Sequence, residues 1–377
     1  MPPLLSPLPS PRRPQGDAAS RLRLPDALCL LVSVVPDAQS LAPLSLPYTP
    51  PPMSTPKPFI GIDLGGTNMQ IGVVSPDLKI IGPAKRKTKP EDKLEGVLDR
   101  MIDGITEACA AAQIPVSALG GIGVGAPGAV DPATGVVLEA VNLRWDNVPL
   151  ADLLTKRLKV RTFLDNDVNV AVYGEHKMGS GQGVDNLLGL WVGTGIGGGL
   201  ILNGKLFYGQ FMTAGEIGHT ILHAHHARGQ RSLEHNTSRT AIVDRLARLL
   251  RSNQKSKITA EIGDDYGAIK SRTLRKYYHG GEKADRVVCE VIDHAADELG
   301  IAIANAVTLL SLSRVVVGGG LTESLGAPFV DRIQKSARDL AFPECCRVVN
   351  VVPSQLADNA GVFGAAMIAM DRVKTRA

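Results

Sequence analysis

The groups best suited to moving a proton cluster in Asp165-Asn166-Asp167-Val168-Asn169. They lie between the apolar run Val160-Arg-Thr-Phe-Leu164 and Ala171-Val-Tyr-Gly-Glu-His-Lys177. The pattern predicts a strand-to-helix junction. A carboxylate there can accept the proton of an attacking alcohol, while the Asn166 amide fixes a neighbouring hydroxyl. The same residue types also cap helices, because Asp and Asn oxygens accept the first free N–H groups. Both roles are met if Asp165 and Asp167 divide them. Downstream, Gly215-Glu-Ile-Gly-His219 sets a carboxylate and an imidazole three apart, and Ser232-Leu-Glu234 adds a carboxylate after a loop. Convergent acids, amides and an imidazole match a polyol, whose hydroxyls each donate and accept.

A second chemistry is written in glycine. Phe59-Ile-Gly-Ile-Asp-Leu64 reads as a buried strand, and Gly65-Gly66-Thr67-Asn68 turns back into Met69-Gln-Ile-Gly-Val-Val74. Glycines at such a hairpin tip let backbone N–H groups approach phosphate, Thr67 adds a hydroxyl, and Asp63 can hold a divalent ion through water. An ordinary Gly-Gly turn fits this segment equally well. The grammar recurs as Leu187-Leu-Gly-Leu-Trp-Val192, Gly193-Thr-Gly-Ile-Gly-Gly-Gly199 and Leu200-Ile-Leu-Asn-Gly-Lys205. A strand rather than a helix follows each turn, which excludes the Walker and Rossmann fingerprints. Two such hairpins suggest a duplicated fold with one nucleotide between its halves. A third cluster, Gly318-Gly319-Gly320, follows a strand and suits close approach of an adenine or ribose, or tight packing alone.

These groups need elements to hold them. Val288, Ile292, Ala295, Leu299, Ile303, Ala306 and Leu310 recur at helical spacing and predict one long helix before the third glycine cluster. At about 150 residues per domain, 377 residues predict roughly two domains. The formal charge is +4 without a long basic run, so neither a nucleic-acid footprint nor an acidic tail is present. The five cysteines show no CxxC and no framework spacing, which suits a reducing cytoplasm. Fifteen of the 25 prolines fall within residues 1–58, a stretch without useful periodicity that is expected to be disordered. Its apolar Ala27–Val35, behind Arg21 and Arg23, imitates a signal peptide but is too short to span a membrane. Met53 is the expected start of the working chain, with residues 1–52 an extension of the reading frame. The basic stretch Arg245 to Lys276 reads as a solvated helical insertion.

Taken in order, the motifs resemble the ROK family of sugar kinases, within the actin-like ATPase superfamily, and most closely its glucokinases. They are Asp63-Leu-Gly-Gly-Thr-Asn68, Gly125-Ala-Pro-Gly-Ala-Val-Asp131, Asn142-Leu-Arg-Trp145, Asp165-Asn-Asp-Val-Asn169, Gly193-Thr-Gly-Ile-Gly-Gly-Gly199, Gly215-Glu-Ile-Gly-His219, Gly318-Gly-Gly320 and Asp358-Asn-Ala-Gly-Val-Phe-Gly-Ala-Ala366. The resemblance implies an α/β, two-lobed actin-like (ribonuclease H-like) fold, with duplicated mixed sheets flanked by helices and a cleft between lobes. Residues 59–164 with 359–377 would form one lobe and 165–358 the other. The implied reaction is ATP-dependent phosphorylation of a hexose, with Mg2+, in a cytoplasmic homodimer. Asp167 would be the general base, and Asn166, Glu216, His219 and Glu234 would bind sugar beside Gly128 and Asn142. Asp63, Gly65, Gly66, Thr67, Gly193, Thr194, Gly195 and Gly197 would face phosphates, and Gly318, Gly319 and Gly320 the nucleoside.

Glucose is the first expectation for the acceptor, with N-acetylmannosamine or fructose as alternatives and polyphosphate as an alternative donor. A sugar-responsive regulator and a non-catalytic sensor are the readings from other classes. The proline-broken N-terminal stretch lacks the paired-helix pattern a DNA reader needs. The departures from the family pattern are local. Its CxCGxxGCxE zinc loop aligns on Glu234 so that the three cysteine positions hold His225, Ala227 and Ser232; no structural zinc is expected, with a substitute set of His219, His223, His225 and His226 as the alternative. Asn68 stands where many relatives carry Lys.

Overall fold

The strand, glycine turn, strand pattern occurs twice in the structure, a computed structural model that describes residues 56–278 and 281–375. The expectations for residues 1–52 lie outside these described residues. In the first copy β1 (Phe59–Leu64) pairs antiparallel with β2 (Asn68–Val74), which pairs with β3 (Ile80–Lys87). The amphipathic α1 (Lys93–Ala111) buries Val97, Leu98, Met101 and Ile105 and returns the chain so that β4 (Ile122–Ala126) runs parallel to β1. A small antiparallel sheet follows, made of β5 (Ala129–Asp131), β6 (Val136–Ala140) and β7 (Trp145–Val148). Then α2 (Leu150–Leu158) crosses over to β8 (Thr162–Asn166), parallel to β4, and α3 (Asp167–Met178) leaves from it.

The second copy repeats this order. It comprises β9 (Leu187–Val192), β10 (Ile196–Leu202), β11 (Lys205–Leu206), α4 (Leu233–Thr237), α5 (Arg239–Arg251), α6 (Thr259–Ile262), α7 (Ser271–Tyr277), α8 (Arg286–Leu310), β12 (Arg314–Gly318), α9 (Gly320–Leu325), α10 (Ala327–Leu340) and β13 (Asn350–Pro353). The sheet orders are β3-β2-β1-β4-β8 and β11-β10-β9-β12-β13, each with two antiparallel pairings followed by two parallel ones. The expected long helix is α8, with Val288, Ile292, Ala295, Leu299 and Ile303 all in the core. No helix among the described residues is long and apolar enough to cross a membrane.

The final helix, α11 (Ala360–Thr375), packs on β1, β4 and α3 with almost no side chain between backbones. A Cβ at Gly123 would sit 1.8 Å from the Ala365 carbonyl oxygen, so this strand position accepts only hydrogen. Two readings of the sequence are corrected here. Gly197, Gly198 and Gly199 belong to strand β10, not to the turn, because Val168, the Gly215 carbonyl and Asn169 press against them. The basic stretch is solvated only on one side: Lys255, Lys257, Lys270 and Arg272 are exposed, whereas Leu246, Leu250, Ile258, Ile262, Ile269 and Leu274 join the core. Its charges alternate with apolar residues that cover the helices around α8.

Replacing Gly123 with Ala should lower unfolding free energy by about 1–3 kcal/mol through overpacking against α11. Urea denaturation checks this, and an unchanged midpoint would contradict the close approach.

Candidate active site

Two carboxylates, two residues apart, have opposite surroundings. Asp165 is buried at the end of β8 and is fully engaged. Its Oδ1 accepts from the Asn166 N–H at 2.9 Å and Asn169 Nδ2 at 3.4 Å, and its Oδ2 from Tyr208 Oη at 2.6 Å and Arg372 Nη2 at 2.9 Å. Asp167, the first residue of α3, accepts only the N–H of Val168, at 2.8 Å, among the hydrogen bonds of the described residues. Burial, then the charge of Asp63, then Glu216, push its carboxyl up to about 7. The capping expected of this segment falls to Asn166, whose Oδ1 accepts from Val168 and Asn169 while Nδ2 donates to the Gly128 carbonyl at 3.0 Å. Its second N–H is left for another acceptor.

Asp167 lines two cavities. The first, of about 460 Å³, is bounded by every residue expected at the acceptor: Gly128, Asn142, Asn166, Asp167, Glu216, His219 and Glu234. Gly128, at φ +88°, has no room for a side chain, since a Cβ would meet the Glu139 carbonyl at 2.1 Å. Glu234 anchors this wall by accepting the Ile196 N–H at 2.7 Å. Glu216 and His219 share one short turn, with Oε2 and Nε2 4.0 Å apart. Burial raises the Glu216 carboxyl, with His219 opposing and Glu234 adding to the rise. Met212, Thr213 and Ala214 complete the lining, and they follow Tyr208, which is tied to Asp165.

The second cavity, of about 210 Å³, is acidic: Asp63, Asp167, Glu323 and Asp358 line it with Gln70, Trp191, Gly319, Gly320 and Gly361. Burial and then the Asp358 charge raise the Asp63 carboxyl to about 6. Clustered carboxylates fit a divalent cation, which would relieve their repulsion. Among the described residues no three His, Cys, Asp or Glu side chains converge to ligate a metal directly. Such an ion would therefore be held through water and phosphate oxygens, the usual mode for magnesium.

The remaining expected phosphate residues lie elsewhere. A Cβ at Gly66 would meet the Asn142 side chain at 3.4 Å, Gly65 is fixed by donating to the Asn68 carbonyl, and Thr67 is exposed. Gly195 and Gly197 border the acceptor cavity, Thr194 and Gly195 border a third cavity, and Gly193 closes a tight turn onto Gly195. Gly318 packs on the Trp191 ring. Sequence reasoning did not single out Glu323, Tyr208 or Arg372. Asp358 stands in the motif Asp358 to Ala366 without a role of its own, although a carboxylate just before a glycine-containing helix is a signal for one.

Duplicated five-stranded mixed sheets with helices on their faces, and a buried carboxylate at the strand-to-helix junction, define an actin-like ATPase fold. The chain belongs to the ROK family, whose sequence model matches residues 59–372. It is 32% identical over 320 residues to a glucokinase of Thermotoga maritima, covering 84% of this chain and 98% of the relative. It is 27% identical to a xylose repressor of Caldicellulosiruptor bescii, covering 83% of this chain and 78% of that protein. Among solved structures, a ROK family glucokinase from Streptomyces griseus in complex with glucose and AMPPNP superposes with a TM-score of 0.72 at 28% identity, covering 83% of this chain and 99% of that one.

The raised pKa of Asp167 has a cost in stability. The fold holds its proton to about 7 against 3.8 for a free carboxyl, so stability present below about pH 4 is lost as pH rises through 7. Asp167→Asn should therefore melt at a higher temperature than the parent at pH 8 and gain less at pH 5. An equal or lower melting temperature at pH 8 would contradict the assigned environment.

Proposed function

We propose that this protein is a sugar kinase that transfers the γ-phosphate of ATP to a hydroxyl of a hexose, with glucose as the first candidate. The observation that carries the reading is the position of Asp167, which lines both a cavity bordered by amide, carboxylate and imidazole side chains and an acidic cavity suited to magnesium and phosphate. The glucokinase relatives support the acceptor, and the neighbour holding AMPPNP supports the donor. The family also contains repressors, and what favours catalysis here is a half-buried carboxylate, Asp167, that has no cation partner among the described residues.

In this reading a hydroxyl in the acceptor cavity gives its proton to Asp167 as its oxygen attacks the γ-phosphorus. The bond to the bridging oxygen of ADP breaks, and a sugar phosphate forms. Asn166, Glu216, His219 and Glu234 orient the other hydroxyls, each of which needs both a donor and an acceptor. Asp63 and Asp358 would hold magnesium through water, and the ion when bound neutralises phosphate charge. Residues 59–164 with 359–377, and 165–358, act as two lobes whose closure keeps water from the phosphate.

A coupled assay across hexoses and amino-hexoses with MgATP, with polyphosphate as an alternative donor, tests the proposal. Turnover should appear on at least one sugar and fall by about 10²-fold or more in Asp167→Asn. No turnover on any acceptor, or a fully active Asn variant, would overturn it. Because the base must be ionised, kcat/KM for the sugar should fall as pH drops through about 7, the value to which Asp167 is raised. A pH profile flat from 5 to 8 would contradict a role for this carboxylate.

A further inference from the structure

The chain from His219 to Glu234 carries a residue of the acceptor cavity at each end, so its position sets the shape of that cavity. The family resemblance implies a structural zinc for this loop, and the residues present do not fit one. The expected sulfur positions hold His225, Ala227 and Ser232; Ala227 offers no ligand, and Ser232 Oγ is engaged with His235 Nδ1 at 2.7 Å where it caps α4. Among the described residues no three metal-ligating side chains converge.

We propose that an imidazole and carboxylate pair, His223 and Glu298, fastens this loop in place of a metal, which makes both of them positioning residues for the sugar site. The inference rests on the sugar-kinase reading for its consequence and on the loop itself for its geometry. Glu298 projects from α8 with its side chain 6% exposed, and its Oε1 accepts from His223 Nε2 at 2.9 Å. Among the described residues this is the one hydrogen bond from residues 221–231 to an element outside the loop and the helix after it. His294 Nδ1 also approaches Oε1, at 3.3 Å, but it faces Arg245 Nη1 at 3.0 Å. A guanidinium only donates, so that nitrogen is an acceptor and leaves His223 as the imidazole donor to Glu298.

Glu298 Oε2 is buried without a hydrogen-bond partner among the described residues. A buried carboxylate satisfied on one oxygen is destabilising, so the contact with His223 is what offsets its presence. Fixing His223 fixes both sides of the loop. The N–H groups of Leu222 and His223 both donate to the Arg231 carbonyl, at 2.8 and 3.0 Å, and the His223 ring stacks on His226 at 4.4 Å. The bridge between Ile221 and Ser232 carries that order to the residue two before Glu234.

The test uses the full chain with His223→Ala, Glu298→Met, both together, and Glu298→Gln, read by amide exchange of residues 221–231 and by calorimetric titration of sugar without ATP. His223→Ala strands a buried charge and can unfold; Glu298→Met and the double variant carry no such charge and separate loss of fastening from loss of fold. In the variants lacking the contact, loop exchange should accelerate by about tenfold or more. The sugar dissociation constant should rise about tenfold, because only the ordered fraction of the loop binds. The double variant should be no worse than either single one. Glu298→Gln keeps the acceptor and should stay near the parent, and a chelator should change neither readout in the parent. Unchanged exchange, accelerated exchange with intact sugar affinity, or stoichiometric zinc whose removal from the parent mimics the variants would each overturn the proposal. If the parent binds no sugar at all, the kinase reading fails, while the exchange data still decide whether the pair fastens the loop.

Discussion

Asp165 and Asp167 are both desolvated, and among the described residues only Asp165 has a cation. Desolvation disfavours the ionised form of each, so their surroundings decide which is structural and which stays poised to take a proton. Arg372, Tyr208, Asn169 and the Asn166 N–H all converge on Asp165. Asp167 receives one backbone N–H and the repulsion of Asp63 and Glu216. The difference arises from direction: one residue ends a strand and points toward α11, and the next but one opens a helix between two cavities.

Much of the remaining architecture serves this arrangement. The α11 helix reaches both acidic centres, with Gly361 pressed beneath the Asp63 carboxyl and Arg372 paired with Asp165. It can do so because Gly123 and Gly364 let its backbone approach β4 and α3 at distances no side chain would permit. At the other end of α3, buried Glu175 accepts from Ser354 Oγ and the Leu356 N–H, which fixes the segment that delivers Asp358 to the acidic cavity. The strength of the packing and the position of the charges therefore share the same residues.

That Asn166, Asp167, Glu216 and His219 line one cavity was legible because they occur in short local motifs, Asp165 to Asn169 and Gly215 to His219, whose types fit one chemistry. The duplication was legible for a similar reason, since strand, glycine turn and strand form a repeated local pattern. Arg372, Tyr208 and Glu298 were not legible. Each is a single polar residue within an apolar or mixed stretch, and its partner is chosen by the fold 43 to 207 positions away. Glycine misled where it means two things: Gly193 and Gly195 make the turn, whereas Gly197 to Gly199 make room for α3 and the Gly215 segment. The basic stretch before α8 misled because charge marks the solvated face of a helix without excluding an apolar one.

The most direct measurement of the central claim is a crystal structure of the chain with a hexose acceptor and a non-hydrolysable ATP analogue. One sugar hydroxyl should lie at about 3 Å from the Asp167 carboxylate, with the terminal phosphate on its Asp63 side. A sugar seated with no hydroxyl near Asp167, or a nucleotide whose terminal phosphate lies away from Asp63 and Asp358, would contradict the claim.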